Sequence, residues 1–316
     1  MTNFCTLFDK GFLGRGVALH ESLMEQCPDF TLWMMCMDDL SYTMLQKLNL
    51  KNVKLLKVSE VEDERVLAVK PDRKTNEYCW MFSSVLPLYL LEKNPGMDTV
   101  TYIDADMYFY APVDEIYREF GDNSIMIIPH AFSEKHKHRE KTSGKYNVGM
   151  MIFRNDPYGL ECLRWWKDRV IEWCYDRYED GKLGDQLYLD DWTERFKKVF
   201  VLTHPGADVA SWNTDRFKFK KEKDGKVTGF EKATGKNFPL IFYHFHALKI
   251  YMASRGKIKP YPVSVYDRTV YRLYIPALQR AYDTIKAIDP TWSYGCVKKL
   301  DILRVIKQNM VLWVTK

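Results

Sequence analysis

The sequence predicts an α/β fold, a largely parallel sheet with helices on both faces. Short β-prone runs alternate with helical patterns along the chain, as β-α-β units require. Several of those runs are apolar throughout, which suits strands covered on both sides. Two of them finish in acidic residues, Asp38-Asp39 and Asp104/Asp106, at the strand ends where open α/β sheets bind ligands.

The elements follow in order. "NFCTLF" (3–8) reads as a first strand, and Val17, Leu19, Leu23 and Met24 in the next segment suit a helix. "TLWMMCM" (31–37) and "NVKLLKV" (52–58) are strands, and "EYCWMFSSVLPLYLLEK" (77–93) has the make-up of a buried helix. "TVTYI" opens the strand that meets Asp104; "SIMIIPH" (124–130) and "NVGMMIF" (147–153) are two more. A helix is predicted over 156–181, with Pro157 near its start, Gly181 near its stop, and Leu160, Leu163, Trp166, Val170 and Trp173 along one face. Asp224-Gly225 marks a hairpin. "FPLIFYHFHALK" (238–249) reads as one late strand, and 263–316 as mainly helical. The organisation predicted is one domain over 1–262 and a basic helical extension over 263–316.

At 316 residues with 46% hydrophobic and 15% aromatic content, the chain can bury a sizeable core. Seven scattered cysteines without a C-x-x-C pair predict reduced thiols in a reducing compartment. The N-terminus has neither a basic nor an apolar leader region, and no apolar run approaches the roughly 20 residues that span a bilayer. These features predict a cytoplasmic location. After residue 250, twelve Lys and Arg face four Asp and Glu, whereas the first 250 residues hold 35 basic and 38 acidic groups. That basic end, with Trp292 and Trp313, predicts peripheral attachment at the inner face of a membrane rather than a nucleic-acid partner.

"YIDAD" poses the chemical question. Buried carboxylates are costly unless paired or metal-bound. Residues i and i+2 of a strand share a face, so Asp104 and Asp106 can converge on one cation. Carboxylate ligands select Mg²⁺ or Mn²⁺, ions that leave positions open for substrate phosphates. Far along the chain, His244 and His246 end another apolar run with Lys249 just beyond. Either imidazole fits an Mn²⁺-class ion, and the lysine fits phosphate oxygens. Arg73, in the loop "KPDRKTNEYCW", is a further candidate for positive charge.

The ordered set "FCTLFD", "YIDADMYFY", "NVGMMIFRND", "GDQLYLDDW", "WN" and "HFHALK" resembles the GT-A fold glycosyltransferases, with the pattern of the family-8 retaining enzymes. The resemblance covers about residues 3–250. It implies that Phe8 and Asp9 meet the nucleoside, and that Asp104, Asp106 and His244 hold the metal, with Asp104 also near the ribose. It further implies that Asn147 and Gly149 contact the donor sugar, that Asp185 and Gln186 lie beside its anomeric carbon, that Asn213 lines the donor pocket and that Lys249 binds the diphosphate. The family ends H-x-x-G-x-x-K-P-W; here Ala247 replaces the glycine, the lysine comes one residue early and no Pro-Trp follows. The activity implied is transfer of a sugar from a UDP-sugar to a saccharide or lipid-linked hydroxyl, with Mn²⁺ (or Mg²⁺) and with retention. Two other readings stand beside it: a non-catalytic nucleotide- or carbohydrate-binding protein on the same scaffold, and a haloacid-dehalogenase-type phosphatase. The second expects a small or β-branched residue where this chain has Tyr108.

Overall fold

The structure is a computed structural model that describes residues 1–261 and 265–297. The chain runs β1 (Thr2–Phe8), α1 (Leu13–Gln26), β2 (Phe30–Cys36), α2 (Asp39–Leu48), β3 (Val53–Lys57), the short α3 (Val58–Val61) and α4 (Glu64–Val69), and the long α5 (Thr75–Lys93). β4 (Thr99–Ile103), β5 (Met107–Phe109), α6 (Asp114–Phe120), β6 (Ile125–Pro129), α7 (Glu140–Ser143), β7 (Tyr146–Arg154) and α8 (Pro157–Glu172) follow. Then come α9 (Trp192–Arg195), β8 (Val199–Val201), β9 (Val209–Ala210), β10 (Phe217–Lys221), β11 (Val227–Glu231), β12 (Asn237–Pro239), β13 (Phe242–His244), β14 (Ile250–Met252), β15 (Ile258–Pro260) and α10 (Arg268–Ile288).

Seven strands form the central sheet in the order β3-β2-β1-β4-β7-β6-β8. It is mostly parallel; only β7 runs against its neighbours, β4 and β6. Successive side chains point to opposite faces, so each strand feeds two cores. Phe4, Met34, Ile103, Met126 and Met150 join the core beneath α1 and α10, whereas Cys5, Met35, Tyr102, Ile125 and Met151 join the core beneath α5 and α8. This double burial is why the strands read as continuous apolar runs. Side-chain caps start two of the helices: Asp38 accepts from Ser41 N at 2.8 Å, and Asp156 accepts from Tyr158 N and Gly159 N just before Pro157.

Two expectations about individual elements need correction. The helix predicted over 156–181 ends at Glu172. Trp173 is extended and still buried, so the apolar stripe outlasts the helix that starts it. Residues 173–186 instead fold across the start of α5, where Glu77 accepts from Asp176 N at 2.9 Å. The late strand over 238–249 is two strands in different sheets: β12 pairs with β11, and β13 pairs with β5 and β9. Leu240 and Ile241, at the switch, are fully buried, so apolar content gives no sign of the break. The helical end expected after residue 262 is present as α10 over 268–288; 298–316, with Trp313, lie outside the described residues.

The buried face of α10 packs on α1 and α2 and joins the same core as the sheet. Its Tyr274 stacks on Phe245 with ring centroids 3.7 Å apart, one residue beyond β13. Tyr282 approaches α1 at Gly14, where a Cβ would lie 2.4 Å from the ring. Trp292 is buried in this core. No helix of the described residues is long and apolar enough to cross a membrane. All seven cysteines are free thiols.

Candidate active site

The carboxylates come together through a bend, not through strand pleating. β4 stops at Ile103, and Asp104 N donates to Gly149 O at 2.9 Å. The chain then turns over Ala105 into β5, with Met107 N donating to Asp104 O. β5 pairs with β13 so that Met107 lies opposite His244, and Phe245 N donates to Asp106 O at 2.9 Å. His244 Nε2 thereby lies 3.2 Å from Asp106 Oδ1 and 3.6 Å from Asp104 Oδ2. One ligand atom from each of the three side chains falls within 4.8 Å of the others. His246, the other candidate imidazole, sits edge-on to Trp212 at 5.4 Å and belongs to no such cluster among the described residues.

Sequence reasoning missed Asp208. β9 pairs with β13 in parallel, setting His244 beside Ala210 and bringing Asp208 Oδ1 to 3.3 Å from His244 Nδ1. Asp208 is 1% exposed, and its Oδ2 has no hydrogen-bond partner among the described residues. A carboxylate on Nδ1 holds that nitrogen protonated and leaves the Nε2 lone pair for a cation, the usual arrangement behind a ligating histidine. The signal available in sequence is generic: a ligating histidine needs such a partner, and "GADVASWN" supplies an acid beside a short strand.

Burial dominates the electrostatics. It pushes the Asp104 carboxyl up to about 6, with His244 opposing and Asp106 adding to the rise. For Asp106 the charge and hydrogen bond of His244 outweigh burial and hold the carboxyl down to about 2. His244 is raised well above the ordinary histidine value because Asp106 and Asp208 outweigh its burial. A site whose acids need a positive charge beside them is one that a divalent cation fits. Two carboxylates and one oriented imidazole are also a donor set suited to Mn²⁺ or Mg²⁺.

The cluster stands at the junction of two lobes of one cleft. The larger, about 640 Å³, is lined by Phe8, Asp9, Phe12, Thr75, Asn76 and Ala105, among others. The smaller, about 190 Å³, is lined by Asn147, Gly149, Asp176, Asp185 and Gln186. Trp80, Tyr102, Asp104, His244 and His246 border both. Asp185 is buried; Ser83 Oγ donates to its Oδ2 at 2.7 Å, and its carbonyl accepts from Trp166 Nε1. Burial pushes its carboxyl up to about 7, with Ser83 opposing and Asp104 adding. Gln186 Nε2 donates to Ser143 O, and Asn147 Oδ1 accepts from Gly149 N. Gly149 leaves room for this packing, since a Cβ would lie 2.4 Å from Asn147 Oδ1 and 2.9 Å from His244 Nδ1. Asp9 accepts from Gly11 N at the lip of the larger lobe.

The remaining candidates lie elsewhere. Asn213 lines neither lobe: it is a buried clamp, accepting from Ala210 N and donating to the carbonyls of His130 and Asp208. Arg73 donates to Tyr175 Oη and to Ile171 O, and lines a neighbouring hollow of about 310 Å³ with Asp9, Lys10 and Tyr78. Lys249 is exposed and lines neither lobe; its carbonyl accepts from Tyr261 N. Ala247, where the resembling family has glycine, takes φ +59°, the left-handed conformation a glycine adopts freely.

No protein-family model matches the chain. It is 34% identical over 302 residues to the uncharacterized protein YfnF of Bacillus subtilis (strain 168), covering 92% of this chain and 96% of that protein. It is 27% identical over 302 residues to the uncharacterized protein YfnD of the same organism, covering 94% and 95%. Among solved structures, the galactosyltransferase LgtC in complex with donor and acceptor sugar analogs matches with a TM-score of 0.55 at 12% identity, over 90% of this chain and 96% of that one. An active-site mutant of LgtC matches with a TM-score of 0.54 at 11% identity, over 81% and 91%. At such identities the likeness speaks to fold, and the fold is GT-A rather than that of a haloacid-dehalogenase phosphatase. The chain belongs to the family of Bacillus subtilis YfnF, and it is built on the GT-A fold.

Proposed function

We propose that this protein is a metal-dependent glycosyltransferase that moves a sugar from a UDP-sugar to a hydroxyl of a saccharide or lipid-linked acceptor, with retention. The observation that carries the proposal is the convergence of Asp104, Asp106 and His244 where the two lobes meet. The larger lobe suits the nucleoside, with Phe8 and Asp9 at its wall, and the smaller suits one sugar. A diphosphate bridging them would lie over the three ligating side chains. A divalent cation bound there supplies charge neutralisation for the departing diphosphate.

The chain's own residues do the rest. Transfer breaks the bond between the anomeric carbon and a phosphate oxygen and forms one to the acceptor oxygen, while the acceptor proton passes to the departing phosphate. Asp185 is the carboxylate in the sugar lobe best placed to meet positive charge at the anomeric carbon, and Ser83 holds it in orientation. Gln186, Asn147 and Gly149 border the sugar. Lys249 would reach the diphosphate only in a closed, donor-bound arrangement, whereas Arg73, held by Tyr175 and Ile171, already lines the neighbouring hollow.

A donor screen by nucleotide release, with and without Mn²⁺, tests the reading. Turnover of at least one UDP-sugar that depends on the ion supports it. Ion-dependent binding with no turnover across a broad donor panel favours the non-catalytic alternative. We also propose that the basic C-terminal end brings the enzyme to an anionic membrane face where lipid-linked acceptors sit. Because α10 is part of the core, deletion has to begin at 298; equal partitioning of both forms onto anionic vesicles would remove that idea.

A further inference from the structure

Residues 173–186 sort their charges in an unusual way. Two carboxylates from this segment, Asp176 and Asp185, face the smaller lobe. Its two basic side chains turn away. Arg177 pairs with Glu179 at 2.6 Å and lies over the rings of Trp173 and Tyr175, while Lys182 lies over Trp173 at 5.4 Å. Arg73, the basic neighbour from the preceding loop, lies over Tyr175 at 3.9 Å. Among the described residues, no lysine or arginine lines the smaller lobe.

Each carboxylate is also oriented by a neutral donor from α5 instead of a cation. Ser83 Oγ donates to Asp185 Oδ2 at 2.7 Å, and Asn76 Nδ2 donates to Asp176 Oδ2 at 3.2 Å. Asp176 is exposed at the rim and Asp185 is buried within. The lobe's other polar side chains include the primary amides of Asn147 and Gln186, and Trp80 supplies an apolar wall. Carboxylates and amides exchange hydrogen bonds readily with sugar hydroxyls. A carboxylate on the sugar would instead face like charge in a partly desolvated space, with no lysine or arginine in the lining to pair it and the cation at the lobe's border engaged by the diphosphate in the reading above.

We propose that this segment makes the lobe selective for donors whose sugar carries no acidic group, with Asp176 as the rim residue that rejects a hexuronate. The inference rests on the transferase reading above and narrows its substrate class to neutral or amine-bearing sugars. Asp176 acts on which sugar enters and takes no part in bond breaking.

Calorimetric titration with Mn²⁺ present tests it on two pairs that differ only at C6: UDP-glucose against UDP-glucuronic acid, and UDP-galactose against UDP-galacturonic acid. Each uronate is expected to bind at least roughly tenfold more weakly than its neutral partner, and Asp176→Lys to bring each pair within about threefold. If UDP and Mn²⁺ bind normally but the uronates match their neutral partners, the inference is overturned. A gap that Asp176→Lys leaves unchanged overturns the role given to Asp176. UDP alone is the control that separates the two levels: if it fails to bind with Mn²⁺, the transferase reading falls and takes this inference with it.

Discussion

Asp208 Oδ1 lies 3.3 Å from His244 Nδ1, while the other ring nitrogen faces the two aspartates of the bend. The pair is buried, and Asn213 pins the Asp208 carbonyl with a 3.0 Å hydrogen bond. Removing the carboxylate frees the ring to turn and to protonate on the wrong nitrogen. Asp208→Asn is therefore expected to weaken Mn²⁺ binding by roughly 10–100-fold, as loss of such a partner typically does. Calorimetric titration of Mn²⁺ measures this, and an unchanged circular dichroism spectrum would show that the fold persists.

Asp185 carries a stability cost that its position in the sugar lobe explains. Its folded-state value, about 7, lies above the roughly 3.9 of an unfolded aspartate. The stabilising contribution is therefore complete below the unfolded value and is lost as pH rises through about 7. Asp185→Asn removes the charge and keeps an acceptor for Ser83. The variant is expected to be more stable than the parent at pH 8, by up to ~4 kcal/mol, with the gap shrinking toward pH 5. Paired melts at the two pH values read the effect, and the same variant should lose transfer.

Ala247 holds a conformation that costs an alanine about 1–2 kcal/mol. Glycine would relieve it but would gain roughly 0.4–1 kcal/mol of unfolded-state entropy. Ala247→Gly is accordingly expected to stabilise the protein by up to ~1 kcal/mol, read from denaturant midpoints at unchanged slope. A destabilised variant would mean that the methyl group packs usefully against the larger lobe it lines.

Gly149 tests the close packing of the site. Its missing side chain makes room for Asn147, His244 and the Met107 methyl, which a Cβ would meet at 2.6 Å. Gly149→Ala is expected to cost ~1–3 kcal/mol, because β7 and β5 cannot both stay in place. It should also weaken cation binding, since His244 has to move; chemical denaturation and Mn²⁺ titration check the two effects separately.

The fold was legible because apolar period and length agreed over most of the first 155 residues, where strands are doubly buried and helices are amphipathic or wholly apolar. The sequence signal failed where burial continued across a change of backbone. Trp173 extends the apolar stripe of α8 but leaves the helix, and Leu240-Ile241 keep a run apolar while the chain crosses between sheets. The bend that unites Asp104 and Asp106 looked like strand for the same reason. Most of the candidate site was visible as short motifs, but Asp208 was not. Its contact with His244 spans 36 residues and arises only from the pairing of β9 with β13. The distinction between His244 and His246 is likewise tertiary, because β5 selects the residue beside Met107.

The most direct test of the central claim is a titration of UDP with and without Mn²⁺, repeated on Asp106→Asn combined with His244→Ala. Binding at least roughly tenfold tighter with the ion, a gain abolished in the double variant, is the predicted result. Equal UDP affinity with and without Mn²⁺, or a gain that survives loss of both side chains in a folded protein, would contradict it.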